Sequence, residues 1–321
     1  MSRGHVGHSD IVAFADARVN MKREDAADMR AQANRLRERL TSYLAEHPDF
    51  ALKKLILSGS IAKGTALKTT SDIDLGCYVS SSTAPHETGK LVPWLAARLE
   101  KAFANLKPEQ IQQKTYSVAI TFAGTGNEID IVPILYDGDP EWRGDLVSQD
   151  DGSKLMTSIP LHLEFIRKRK AANDRHFAQV VRLIKYWAGR IKREDADFRF
   201  KSFMVEMILA HLADRGMVLN DYPEALSSFF TFLATDELKS TIQFTDYYAA
   251  GQCAQTVDPI RIWDPVNCEN NVAKLYSTLK RDKIVQAVLD AGDAIHAAQY
   301  ATSKSEAVRH WQKVFGPSFN P

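Results

Sequence analysis

A period of two runs through Ser71-Asp72-Ile73-Asp74-Leu75-Gly76-Cys77-Tyr78-Val79 and leaves the segment little choice of structure. Side chains alternate across a strand, so Ile73, Leu75, Cys77 and Val79 share one face while Asp72 and Asp74 project together from the other. Such a strand must be paired in a sheet with its apolar face covered, and it then holds two carboxylates side by side. Upstream, LKKLIL at 52–57 reads as a strand entering Gly59-Ser60, followed by a helical turn through Leu67. Downstream, SVAITF and EIDIVPI flank AGTGN, a glycine-containing loop of hairpin length. Asp130 lies there between Ile129 and Ile131, and a neighbouring strand can bring it beside the first two acids.

The rest of the chain is mainly helical. Residues 24–46 carry Met29, Ala33, Leu36, Leu40 and Leu44 on one face, and 90–105 also read as helix. Beyond about residue 155 the helical segments are 159–171, 175–193, 202–214, 222–234, 271–300 and 304–313. With DDGS near Gly152 as the connecting loop, the chain divides into an α/β lobe, 1–152, and a helical lobe, 153–321. The expected class is α+β.

Charge and cysteine content narrow the setting. Forty-one basic and forty acidic residues give a net charge of +1, so attraction to nucleic acid or a membrane must be local. Cys77, Cys253 and Cys268 show neither CxxC nor zinc spacing, which fits a reducing cytoplasm. The N-terminus lacks the pattern of an export signal, and Glu206 interrupts the most apolar helix, FMVEMILAHLA.

Two adjacent carboxylates repel unless a cation neutralises them, and Mg²⁺ takes one or two carboxylates plus substrate phosphate oxygens. Three aspartates suffice for two ions roughly 3.5 to 4 Å apart, the arrangement that activates an attacking hydroxyl and stabilises leaving pyrophosphate. Gly59 permits close backbone approach, the turn after it offers N–H groups to a triphosphate, and Ser60 adds a hydroxyl donor. An Asp-x-Asp alone is common. Strand, Gly-Ser, helix, Asp-x-Asp strand and a later lone Asp together form the signature of a polymerase-beta-type nucleotidyltransferase, a mixed sheet with helices.

Longer stretches carry a closer resemblance. GSIAKGTALKTTSDIDL, EIDIVPILY, SIPLHLEFIRKRK, HFAQVVRLIKYW, FKSFMVEMILA and DPVNCENNVA resemble the bacterial cGAS/DncV-like nucleotidyltransferases, or CD-NTases, of CBASS antiphage operons. The likeness is to the HORMA-associated clade C and D type. Cys268 departs from it, standing where proline is usual.

This resemblance implies an active site in the cleft between the two lobes. It also implies that Lys185 and Ser202 bind the donor triphosphate with Gly59 and Ser60. Phe203 then fits either base stacking or core packing. Asn271 fits either a nucleotide edge or, with Asn270, a helix N-cap. The run RKRK at 167–170 reads by default as a solvated helix end, and His162 and His176 as structural or exposed.

The implied reaction condenses ATP, or other nucleoside triphosphates, into a cyclic trinucleotide such as cyclic tri-AMP. Two Mg²⁺ ions, with Mn²⁺ able to substitute, would be held by Asp72, Asp74 and Asp130. The implied partners are a HORMA-domain protein and a Trip13-like ATPase, with double-stranded DNA reaching the activated complex. The alternatives are an RNA-end nucleotidyltransferase, which shares the three acids, and a catalytically idle nucleotide-sensing module.

Overall fold

The computed structural model describes residues 4–47, 51–148 and 150–321. They form two compact units, Met21–Glu164 and Met1–Asn20 with Phe165–Pro321.

The first unit is built on a mixed sheet. Its strands are β1 (Leu52–Ser58), β2 (Asp72–Ser80), β3 (Ile111–Gln113), β4 (Val118–Thr121), β5 (Glu128–Tyr136), β6 (Gly144–Val147) and β7 (Lys154–Thr157). The order is β1-β2-β5-β4-β3, with β6 joined to the end of β5 and β7 to β6. Only the β2–β5 pair among these is parallel. As the alternation requires, Ile73, Leu75, Cys77 and Val79 are buried. They form one core with Met29, Ala33, Leu36 and Leu40 of α2 (Arg23–Glu46) and Leu91, Leu95 and Leu99 of α4 (Leu91–Ala102). Each fully buried leucine contributes about 2 kcal/mol of transfer free energy. With two helices covering the apolar face, the acids are confined to the other.

The helical unit contains α1 (His8–Phe14), which runs into a π-helical turn at Ala15–Val19. It continues with most of α5 (Ile159–Glu194), then α6 (Ser202–Asp214), α7 (Tyr222–Asp236), α8 (Thr278–Gln299) and α9 (Lys304–Phe315). Strands β8 (Thr241–Ile242) and β9 (Arg261–Ile262) form a short parallel pair. Phe14 packs on Phe315 and Phe319, with ring centroids 5.1 and 5.0 Å apart, and Trp187 meets Phe230 at 4.8 Å.

Several segments differ from the sequence reading. The helical turn after β1, α3 (Gly59–Lys63), stops at Lys63 because Gly64 turns left-handed, so it does not reach Leu67. DDGS forms the turn between β6 and β7, closed by the Ser148 N–H to the Ser153 carbonyl, and is no linker. The units therefore divide inside α5, between Glu164 and Phe165, rather than at 152/153, and the described residues before Met21 fall with the helical unit through the apolar contacts of Phe14. The break expected between 171 and 175, by contrast, is present as a kink inside α5, where Asn173 (φ −126°, ψ 15°) and Asp174 (φ +51°, ψ −146°) leave helical geometry and separate two helical segments. Helix α8 begins at Thr278 instead of 271, with Ser277 as its N-cap. Arg169, in the basic run, is buried and bridges Asp214 and Asp246 at 2.6 and 2.9 Å, so it is no solvated helix end.

Candidate active site

The sheet register builds the acidic face residue by residue. Asp74 pairs with Ser58 on one side and Asp130 on the other, and Asp130 pairs in turn with Ala119. The neighbouring row pairs Asp72 with Glu128. Adjacent strands stand about 4.8 Å apart, so Asp74 and Asp130 are immediate neighbours on one face and Asp72 and Glu128 flank them. Glu128, two residues before Asp130, is a fourth acid of this face that the sequence reading passed over, although its spacing from Asp130 repeats that of Asp72 and Asp74.

Gly59 closes the face from above. Its φ is +64°, and a Cβ there would stand 1.7 Å from Asp74 Oδ2. Only a residue without a side chain lets the chain turn so tightly against that carboxylate. Ser60 is half-buried in the same turn.

The acids differ in their partners. Ser117 Oγ donates to Asp130 Oδ1 at 3.0 Å, and Lys114 Nζ lies 3.1 Å from Asp130 Oδ2 and 2.5 Å from Glu128 Oε1. Asp72 is exposed and accepts from Ser71 Oγ at 3.0 Å. Asp74 has the least favourable surroundings. Burial raises its pKa, the charges of Asp130 and Asp72 raise it further, and Lys63 and Lys114 offset only part of this. Burial works to lower the Lys114 ammonium, but its hydrogen bonds to Glu128 and Asp130 outweigh that and hold it above its ordinary value. Lys114 and Ser117 were not singled out from the sequence. Their signal is the spacing Lys-x-x-Ser leading into the strand antiparallel to β5.

This donor set suits a hard divalent cation: carboxylate oxygens only, crowded on one face, with Asp74 made reluctant to ionise by burial and then by like charge. Among the described residues the side chains do not converge into a ready three-ligand cage. Asp130 is turned to Ser117 and Lys114, and Asp72 to Ser71.

The remaining predicted site residues lie in the helical unit. Lys185 is half-buried on α5, one turn from Arg182, whose Nε donates to Asn20 Oδ1 at 2.9 Å and whose Nη2 donates to Gln179 Oε1 at 2.6 Å. Ser202 is exposed at the first position of α6, and Phe203 beside it is half-buried. Asn271 is buried, and its amide is fully engaged. Nδ2 donates to Asp258 and to the Ile260 carbonyl at 2.8 Å each, while Oδ1 accepts from the Ile262 and Ala273 N–H groups at 3.1 Å each. With both donors and both acceptor sites used, it has nothing left for a nucleotide edge, and it caps no helix. Its place is to tie the 258–273 loop together.

The family described as a nucleotidyltransferase domain matches residues 34–170. The cyclic AMP-AMP-AMP synthase of Escherichia coli (strain MS 115-1) is 53% identical over 319 residues, covering 99% of each chain. The solved structure of E. coli MS115-1 CdnC with ATP superposes with a TM-score of 0.94 at 53% identity, covering 99% of this chain and 100% of that one. The structure of the same protein in a complex with HORMA-deltaN gives 0.93 at 52%, covering 99% of each. No helix among the described residues is long and apolar enough to cross a membrane.

Proposed function

Because this chain belongs to the CD-NTase family of nucleotidyltransferases, we propose that it joins ATP into a cyclic trinucleotide, cyclic tri-AMP, as the signal-making enzyme of a CBASS antiphage system. The observation that carries this reading is the parallel register that sets Asp130 beside Asp74, with Gly59 turned against the Asp74 carboxylate. In each of three rounds a ribose hydroxyl attacks an α-phosphate. The new O–P bond forms as the bond to the β-phosphate oxygen breaks and pyrophosphate leaves. The last round closes the ring.

Asp130 orients the acceptor hydroxyl and takes its proton. The backbone at Gly59 and the Ser60 hydroxyl position the donor phosphates, together with Lys185 and Ser202, and Phe203 stacks on a base. Asp72, Asp74 and Asp130 would hold two Mg²⁺ ions, which supply charge neutralisation for the phosphates and acidify the attacking hydroxyl. Lys114, ion-paired with Asp130 and Glu128, offsets part of the repulsion on this face before substrate arrives.

The relative named in a complex with HORMA-deltaN supports a HORMA-domain protein as the regulatory partner of this chain. A Trip13-like ATPase would reverse that complex, and double-stranded DNA would act through it.

The test is incubation of the purified protein with all four nucleoside triphosphates and Mg²⁺, with and without the HORMA protein and DNA, followed by mass spectrometry of phosphatase-resistant products. Cyclic tri-AMP that disappears in Asp72→Ala is the expected result. Extension of an added tRNA with no cyclic product would replace this reading with the RNA-end transferase.

A further inference from the structure

The segment Arg199-Phe200-Lys201 and the first turn of α8 gather positive charge in the helical unit. Lys201 lies against Tyr276: its backbone N–H donates to the Tyr276 hydroxyl at 3.1 Å, and its Nζ lies 5.7 Å from the ring centroid. Nζ also donates to the Val272 carbonyl at 3.4 Å. Burial lowers the pKa of Lys201, and the charges of Arg199 and Lys280 lower it further, so the three cations are close enough to oppose one another. Arg199 also faces the Tyr276 hydroxyl electrostatically.

Nearby cations are treated differently. Arg281 is paired with Asp282 at 2.9 Å, and Lys283 with Asp195 at 2.8 Å and Asp197 at 3.5 Å. Among the described residues no carboxylate pairs with Arg199, Lys201 or Lys280. Position adds to the cost, since Lys201 immediately precedes α6 and Lys280 sits in the first turn of α8. Neither helix has an acid in its first turn. Cations are disfavoured at these positive helix ends. A cluster that breaks a local rule without an internal counter-charge is where a functional site is to be sought.

Resting on the nucleotide chemistry proposed above, we propose that Arg199, Lys201 and Lys280 form a phosphate-binding subsite that extends the contacts of Ser202 over the phosphates of a nucleotide or of the growing linear product. All three side chains are exposed, and each can donate charge-assisted hydrogen bonds to phosphate oxygens. Arg199 supplies a fork that suits two oxygens at once, while the lysines act as point charges. They are positioning residues: they bear on where the phosphates rest, not on bond making.

The test is calorimetric titration of the full chain, first without Mg²⁺, with inorganic tripolyphosphate as the probe. Lys201→Gln and Lys280→Gln are each expected to weaken binding about tenfold, the effect of one charge-assisted contact. Lys283→Gln should leave it unchanged. Lys280 is exposed and pairs with no carboxylate among the described residues, so its variant remains informative if Lys201→Gln is unstable. Repeating the titration with ATP and with linear pppApApA distinguishes the two sources. A larger loss for the linear trimer assigns the subsite to the intermediate, and an equal loss assigns it to the incoming nucleotide. Tripolyphosphate binding that is the same in wild type, Lys201→Gln and Lys280→Gln overturns the proposal. So does loss of affinity only for long nucleic acid.

Cyclic product that depends on Asp72, with tripolyphosphate binding indifferent to Lys201 and Lys280, removes the subsite and leaves the enzyme. Cation-dependent tripolyphosphate binding in a protein that makes no product does the reverse.

Discussion

The acidic face of the sheet and the basic cluster before α6 and α8 are both crowded with like charge, but they are held in different ways. On the sheet, backbone pairing fixes Asp74 beside Asp130 whatever their repulsion, and Lys114 and Ser117 offset part of it. In the helical unit, Arg199, Lys201 and Lys280 are carried on exposed side chains that no backbone pairing fixes side by side, with Lys201 held at the Val272 carbonyl, and no acid pairs with them among the described residues. Acids set by strand register place a fixed demand on an incoming cation, whereas exposed bases set only by their side chains can adjust to phosphates.

The contrast breaks most directly at Asp74. Asp74→Asn is expected to lower product formation at least about a hundredfold while raising thermal stability, because burial and its two acidic neighbours make its charge costly in the fold. A lower melting temperature for this variant would show that the carboxylate is stabilising and the contrast misplaced. The sign has a pH consequence. A carboxyl with a raised folded pKa costs stability when ionised, and this cost is present in full above the folded pKa and lost as pH falls toward the ordinary value of 3.8. The melting-temperature gap between wild type and Asp74→Asn should therefore narrow as pH falls through the raised pKa.

Asn271→Ala sharpens the difference between binding and structural polar groups. Losing four hydrogen bonds in a buried loop should cost about 3 kcal/mol of stability, read by urea denaturation. An unchanged midpoint combined with weaker ATP binding would return Asn271 to the nucleotide. Gly59→Ala places a methyl group against Asp74 at a positive φ and should cost about 2 kcal/mol in the same measurement, with a loss of activity.

Lys114→Met removes the one internal counter-charge shared by Asp130 and Glu128. With less positive charge nearby, the Asp74 pKa rises further, so the acid limb of the pH–rate profile should move to higher pH. A limb that stays in place would show that Lys114 does not reach the reacting acids. The smallest effect is expected at Lys283, whose partners Asp195 and Asp197 are themselves solvent-accessible. Lys283→Ala should move the melting temperature by about a degree at most.

The sheet was legible in the sequence where its period of two is strict. Ile73, Leu75, Cys77 and Val79 alternate cleanly with the acids, and Ile129 and Ile131 do the same around Asp130, so two strands and their shared face could be read from side-chain type alone. Strands β6 and β7 were missed because GDLV and KLMT are four residues long and mix polar with apolar positions, too short for a period to show. Their turn, rich in Asp and Gly, then looked like a linker. Lys114 and Ser117 escaped because they act across strands: the Lys-x-x-Ser spacing runs into β4, but only the pairing of β4 with β5 shows that they face Asp130. The start of α8 was set too early because Val272, Ala273 and Tyr276 are buried as a helix face would be, although they belong to a loop fixed by Asn271.

The parallel pairing of β2 with β5 also sets an order of events during synthesis. Strands β1 and β2 are near neighbours in the chain and can pair as soon as both leave the ribosome. Asp72, by contrast, meets its register partner Glu128 only after the intervening helix and the β3–β4 segment have been made. Contacts so far apart in sequence form late because loop closure must come first. A nascent chain therefore carries Asp72 and Asp74 without Asp130, and a cell translating this protein cannot start its chemistry from an unfinished copy.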